Sequence, residues 1–171
     1  ACLADGESGS FEHPHWTVRT KFWWRQTFPA HRTVVMAHEY QPVTGQSFFT
    51  HYELTGGKDS NAAFYARTYC LDAGTREAIA ARVGGKDAGD GDGRMMQAYS
   101  TDYILVSGNN WKGPIGHFHL TLDKLKPDNI LSVCWNGGLQ KTGATTFEAS
   151  REKFAPKSDI KLLVLETIAK Q

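Results

Sequence analysis

Apolar and polar residues alternate with a period of two along much of the chain, a pattern typical of half-buried β-strands. The longest alternating stretch covers residues 15–25, and the β-branched segment 33–40 follows a turn at residues 28–32. A short turn between two such runs predicts an antiparallel hairpin. Residues 1–14 are polar, with Gly6, Gly9 and Pro14, and are predicted to form an extended arm.

Further strand-like runs follow in the second half of the chain. Residues 102–124 read as strand, turn and strand. Three more runs, at 129–135, 145–149 and 159–167, are separated by Pro-, Gly- and Asn-rich turns, and the long loop 41–60 has room for one short strand. Several short strands at this spacing favour a β-sandwich over a parallel α/β sheet.

One helix is clearly indicated. Residues 71–83 are rich in good helix formers, Asp72 or Thr75 is available as the N-cap, and Gly84-Gly85 ends the segment. The segment 62–69 fits a helix or a strand equally well. The predicted fold is therefore mainly β, an antiparallel β-sandwich-like domain spanning residues 15–171 with one helix near residues 71–83.

The predicted core follows from the apolar sides of the alternating runs. It comprises Trp16, Val18, Phe22, Trp24, Val35, Tyr103, Leu105, Phe118, Leu120, Leu122, Leu131, Val133, Ile160, Leu162 and Val164.

Length and charge narrow the classes of function. A chain of 171 residues is long enough for one domain with its own core. Nineteen basic and eighteen acidic residues leave a net charge of +1, which argues against a nucleic-acid partner. No apolar run approaches the eighteen or so residues that span a bilayer. The amino terminus lacks the features of a signal peptide, so we expect any export signal to have been removed.

Three cysteines allow one disulfide and one spare thiol. Cys70 and Cys134 lie beside apolar, strand-like residues, whereas Cys2 lies in the polar terminus, so Cys70–Cys134 is the predicted pair. Such a bridge requires an oxidising compartment. The alternative is a pair of buried, reduced thiols in a cytosolic protein.

Several motifs, in order and spacing along nearly the whole chain, resemble one bacterial family. The matching pieces are Trp16-Thr17-Val18, the run 22–30, His38-Glu39-Tyr40-Gln41-Pro42, Tyr69-Cys70-Leu71-Asp72, Asp102-Tyr103-Ile104-Leu105, the run 110–115, Leu122-Asp123-Lys124 with Pro127-Asp128, and the run 154–160. They are similar to the carboxyl-terminal part of the family known as domain of unknown function 4424.

The resemblance implies a protein made with a signal peptide and working in the periplasm or outside the cell, in keeping with a disulfide. It implies no activity, because the family has none assigned. It also implies a longer protein with another β-rich segment ahead of the matched part.

His117 and His119 are the strongest candidates for metal ligands. In a strand whose Phe118, Leu120 and Leu122 face the core, alternation places both imidazoles on the other face, about 7 Å apart. His13 and His15 repeat the spacing, and His38 or His51 could supply further ligands suited to zinc, copper or nickel. Solvated surface histidines are the simpler interpretation, and we expect no cofactor.

Aromatic and basic residues mark a second kind of candidate site. Arg19, Lys21, Trp23 and Arg25 share the outward side of the first predicted strand, where they could hold a sugar ring or an acidic ligand. Trp111, in a predicted turn, is the other candidate for an exposed binding aromatic. The alternative is that a second sheet or a partner covers Trp23 while the basic side chains reach solvent.

Three functional hypotheses follow. The first is a non-enzymatic module in the periplasm or outside the cell that binds a protein or a glycan through an aromatic and basic surface. The second is a metal-dependent, hydrolase-like enzyme that uses His117 and His119 with Asp123 or Glu39. The third is a structural half of a longer exported protein. No serine or cysteine has the sequence context of an activated nucleophile.

Overall fold

A computed structural model describes residues 20–21, 23–58, 60–84 and 94–168. Its contacts divide the chain into two units, Ala1–Tyr40 and Gln41–Gln171. The predicted arm 1–14 lies outside the described residues, so its boundary stays a prediction.

The predicted hairpin is not found in the described part of the first unit. Residues 20–21 and 23–40 contain a turn at Ala30-His31, and no strand is assigned to them. Trp24 and Val35, both predicted to be in the core, are 59% and 88% exposed. The Trp24 ring contacts that of His38 at 4.8 Å between centroids. Alternation of apolar and polar residues alone was insufficient to predict a strand here, because a strand also needs backbone hydrogen bonds to a neighbouring strand.

The second unit contains all the regular elements that the structure assigns. Its strands are β1 (Gly45–Phe49), β2 (Met96–Tyr103), β3 (Ile115–Asp123), β4 (Ile130–Cys134), β5 (Gln140–Lys141), β6 (Thr146–Phe154) and β7 (Ile160–Thr167). Its helices are α1 (Asn61–Tyr69) and α2 (Ala73–Val83), and short 3₁₀-helices cover His51–Leu54 and Val106–Asn110.

The strands form two antiparallel sheets. One has the order β1-β2-β7-β4 and the other the order β3-β6-β5. The predicted fold class, mainly antiparallel β with a sandwich-like arrangement, is confirmed. The predicted helix near 71–83 is also confirmed as α2, and the ambiguous segment 62–69 is a second helix, α1.

The two helices cover one face of the four-stranded sheet and form the core with it. The central strand β7 contributes Leu163 and Leu165, each 1% exposed, and β2 contributes Met96 and Ala98. From α2, Ile79 and Val83 are fully buried in the same cluster. Among the described residues, no helix has the length and hydropathy needed to cross a bilayer.

For β7, the prediction assigned part of the core to the face that does not pack on the helices. Ile160 is buried as predicted, but Leu162 and Val164 are half-buried on the face opposite Leu163 and Leu165. They pair laterally with Val133 and Leu131 of β4, which are also half-buried. A central strand that is apolar on both faces carries no alternation by which to choose the helix-covered side.

The first strand of the predicted strand-turn-strand run 102–124 lies earlier in the chain. β2 begins at Met96 and ends at Tyr103, which is 50% exposed instead of buried. The Asp159 carboxylate accepts hydrogen bonds from the backbone N–H groups of Leu105 and Val106, at 2.8 and 3.0 Å. These bonds turn the chain away from the sheet and into a 3₁₀-helix, so the apolar residues at 104–106 do not extend the strand.

Side-chain caps define the helix boundaries. Ser60 Oγ accepts a hydrogen bond from the Ala63 N–H and begins α1, while Asp72 Oδ1 accepts one from the Thr75 N–H at 2.6 Å and begins α2. Gly84, with φ of 80°, ends α2. The hydrogen bonds from Thr75 hold the pKa of Asp72 below its ordinary value, because they favour the charged carboxylate.

A disulfide joins α1 to the edge strand β4. It links Cys70 to Cys134 over 64 positions of sequence, with a Cα–Cα distance of 4.9 Å. In β4, the alternate residues Ile130, Ser132 and Cys134 face the helices, and Ser132 Oγ donates a hydrogen bond to the Tyr69 carbonyl at 2.8 Å. The predicted pairing therefore agrees with the structure.

Removing the disulfide should destabilise the protein. We expect the Cys70→Ser/Cys134→Ser variant to lose about 2–4 kcal/mol of unfolding free energy, because the bridge restricts a long loop in the unfolded chain. Urea denaturation with and without reductant measures the loss. Cys2→Ser is the matched control and should leave both the stability and the effect of reductant unchanged. A reductant effect that disappears in Cys2→Ser would contradict the Cys70–Cys134 pairing.

The Asp72 cap gives a pH-dependent contribution of defined sign. Because the folded-state pKa is lowered, this contribution is present above the unfolded-state pKa and is lost as the pH falls through the folded-state pKa. We expect Asp72→Ala to cost about 1 kcal/mol at neutral pH, and the difference from the parent protein to shrink under acidic conditions. Thermal unfolding over a pH series tests this, with the capping-competent Asp72→Asn as control. An Asp72→Ala deficit of the same size at acidic and neutral pH would argue against the carboxylate cap.

Candidate functional site

The predicted orientation of the His117 and His119 side chains is observed. Both lie on the exposed face of β3, while Phe118, Leu120 and Leu122 are half-buried on the other face. His117 Nδ1 contacts Glu152 Oε1 at 2.6 Å. His119 lies 2.8 Å from Ser150 Oγ and 3.1 Å from Thr121 Oγ1. Both histidines therefore have polar partners on the surface of the three-stranded sheet.

The described residues contain no group of three or more His, Cys, Asp or Glu side chains that could hold a metal ion. His13 and His15 lie outside the described residues. Asp123, offered as a partner of the histidine pair, accepts a hydrogen bond from the Leu125 N–H instead. The metal-dependent hypothesis thus gains no support from this arrangement.

The predicted aromatic and basic ligand-binding residues are exposed where the structure describes them. Trp23 is 76% exposed, and Lys21 and Arg25 are also exposed, while Arg19 lies outside the described residues. Trp111 is 66% exposed at the end of the second 3₁₀-helix. Exposure is compatible with binding but does not test it, so these residues remain predicted ligand contacts.

A different tryptophan, Trp135, lines a concave surface of the second unit. It follows the last residue of β4 and is half-buried. Trp135, Asn136 and Ser158 line two adjoining hollows of about 310 and 210 Å³. We call the two hollows together the Trp135 cleft. The larger one is at the lower limit of typical small-ligand sites.

Aromatic packing holds the indole in place. The Trp135 ring lies 5.8 Å from Phe118 of β3 and 6.2 Å from Phe154 of β6, measured between centroids, and these two rings are 4.6 Å apart. Lys153 has φ of 49°, which interrupts the regular alternation of β6 just before Phe154. This break allows Phe154 to join Phe118 although the two residues are not directly paired.

The turn after Trp135 folds back beneath the indole. A Cβ at position 137 would overlap the six-membered part of the Trp135 ring, so only glycine fits there. Gly138, with φ of 62°, then reverses the chain. The Arg151 guanidinium donates one hydrogen bond to the Gly137 carbonyl and another to the Ser150 carbonyl. The turn, the indole and Arg151 therefore form one packed unit.

The cleft is basic although the chain is nearly neutral. Arg67 and Lys161 line the larger hollow, and Arg151 and Lys157 line the smaller one. The one acidic residue of the lining, Asp159, is already bonded to the Leu105 and Val106 N–H groups.

The four cations differ in how they are paired. Lys161 pairs with Asp102 at 2.9 Å, and this hydrogen bond and charge raise the pKa of Lys161. Within the described ranges, no carboxylate lies within 4.0 Å of the cationic nitrogens of Arg67, Arg151 or Lys157. Arg67 Nη1 donates a hydrogen bond to the Lys58 carbonyl at 3.1 Å. Among the described residues, these three basic side chains therefore have no acidic partner.

Sequence reasoning missed this cleft because its residues are distant in the chain. Arg67 belongs to α1, whereas Arg151, Lys157 and Lys161 belong to β6, the following loop and β7. The one local signal was the Asn136-Gly137-Gly138 turn directly after a tryptophan, which indicated a tight turn but no site.

The close contact between Gly137 and Trp135 gives a direct test of the cleft. We expect Gly137→Ala to cost about 1–3 kcal/mol of stability, because the added methyl group must displace the indole. Chemical denaturation and the tryptophan emission maximum are the measurements. Gly113→Ala is the matched control, since a Cβ there meets no atom within 4 Å. Equal behaviour of the two variants would refute the packing of the indole on the turn.

Comparison with known proteins identifies the family of the chain. The sequence profile of a family described as Domain of unknown function (DUF4424) matches residues 4–163. No curated protein and no solved structure matches the chain.

Proposed function

Because the chain belongs to the DUF4424 family, whose description names no activity, we propose its function from its own surface. The protein is a non-enzymatic binding module that works in the periplasm or outside the cell. It recognises its ligand, on a protein or a glycan, at the Trp135 cleft.

This proposal rests on the combination of an immobilised Trp135 indole and the basic side chains that line the same cleft. Trp135 is fixed by Phe118 and Phe154 but keeps part of its surface in a concave site. Tryptophan and arginine are the residue types that most often dominate binding energy at interfaces. Because the indole is fixed before any ligand arrives, little conformational entropy is lost on binding.

The disulfide supports a location outside the cytoplasm. Bonds such as Cys70–Cys134 form and persist in oxidising compartments and are rare in the cytosol. The resemblance of the motifs to an exported family points to the same location.

Fractionation of the producing bacterium tests the location. The protein should be recovered in the periplasmic or culture fraction with Cys70 and Cys134 oxidised, as determined by mass spectrometry after alkylation of free thiols. Recovery in the cytoplasm with both thiols alkylated would contradict the proposal.

Binding to isolated cell envelopes tests the site. We expect Arg67→Gln/Lys157→Gln to bind about tenfold more weakly than the parent protein, because each lost cation removes a charge-assisted contact. Arg94→Gln/Lys112→Gln is the matched control, since it removes the same charges at exposed residues that do not line the cleft. Equal losses in both double variants would show nonspecific charge attraction and reject the cleft as the site.

A further inference from the structure

The shape of the Trp135 cleft favours an extended ligand. Its two hollows share Trp135, Asn136 and Ser158 as a common wall, so one ligand can cross this wall and occupy both. A chain of small units, with one unit in each hollow, fits this arrangement better than a single compact molecule.

The lining favours a ligand that has both apolar faces and polar edges. The half-buried indole contributes apolar surface to both hollows, and the side chains of Thr68, Asn136 and Ser158 offer hydrogen-bonding groups beside it. A pyranose ring matches this combination, because its C–H groups form a flat face while its hydroxyl groups point outward.

The charges favour an anion, most clearly in the smaller hollow. Arg151 and Lys157 line it without any acidic residue. Two backbone carbonyls fix the Arg151 guanidinium and use two of its five N–H donors, which leaves others for a ligand. A fixed guanidinium suits carboxylate, sulfate or phosphate oxygens.

We propose that the Trp135 cleft binds an anionic oligosaccharide, with one sugar ring against the indole and an acidic group at Arg151 and Lys157. This inference rests on the proposed binding function and names its ligand class. Clusters of arginine also recognise acidic peptides, so the charges alone do not select a sugar. The apolar indole of Trp135 beside the hydroxyl and amide side chains of Thr68, Asn136 and Ser158 favours a sugar over an acidic peptide, and hexaglutamate tests this preference.

Calorimetric titration of the whole chain with four probes tests the ligand class. The probes are hexagalacturonate, its uncharged methyl ester, a chondroitin sulfate hexasaccharide and hexaglutamate. Binding of at least one acidic oligosaccharide, about tenfold tighter than that of the methyl ester and of hexaglutamate, is the expected result. Comparison of hexagalacturonate with chondroitin sulfate distinguishes carboxylate from sulfate as the preferred group.

Two variants connect the binding to the cleft. Lys157→Gln should weaken binding of the acidic oligosaccharide about tenfold, whereas Lys112→Gln should leave it unchanged. Trp135→Phe keeps an aromatic ring in the cluster and should bind more weakly while losing the ligand-induced change in tryptophan emission. Circular dichroism and thermal unfolding of each variant establish that a loss of binding is not a loss of fold.

Each contrary result has a defined meaning. Hexaglutamate binding as tightly as the acidic sugars, or equal binding of the methyl ester, would overturn the proposed ligand class. If no probe binds but cell-envelope binding still requires Arg67 and Lys157, the oligosaccharide proposal falls and the binding function stands. If neither the probes nor the envelopes bind, both proposals fail.

Discussion

One covalent bond, between Cys70 and Cys134, holds the end of α1 against the last residue of β4. Cys70 has a left-handed backbone conformation, with φ of 55°, and ends α1 so that α2 can begin after Asp72. Trp135 follows Cys134 directly, and Arg67 lies in the last turn of α1. The disulfide therefore joins the two chain segments that carry Arg67 and Trp135 into the lining of the larger hollow.

The central strand β7 is apolar on both faces. One face packs on the two helices, and the opposite face makes further apolar contacts. Leu163 and Leu165 face the helices, whereas Leu162 and Val164 are half-buried on the opposite face. A central strand with partners on both sides cannot shift its register without moving buried side chains into water. The same strand begins at Ile160, beside Asp159 and Lys161, so the rigid centre of the sheet also supports one wall of the cleft.

The sequence was sufficient to predict those features that depend on local pattern. Alternation in β3 correctly separated His117 and His119 from Phe118, and the cap and glycine signals located α2 within two residues. The alternation pattern could not show that segment 33–40 lacks a paired strand among the described residues, or which face of β7 is buried, because both depend on distant residues. The Trp135 cleft could not be predicted from the sequence for the same reason, since its basic residues come from elements far apart in the chain.

A chain with a net charge of only +1 can still present a basic cleft, because its basic and acidic residues are unevenly distributed. The lining of the cleft contains four basic residues and one acidic residue, Asp159. Asp102 pairs with Lys161, and the charge of Asp159 also acts on Lys161. Local potential is determined by which charges remain uncompensated within about a Debye length, roughly 8 Å at physiological salt, and not by the sum over the chain. The net charge of the whole chain therefore gives no information about a small anion-binding site.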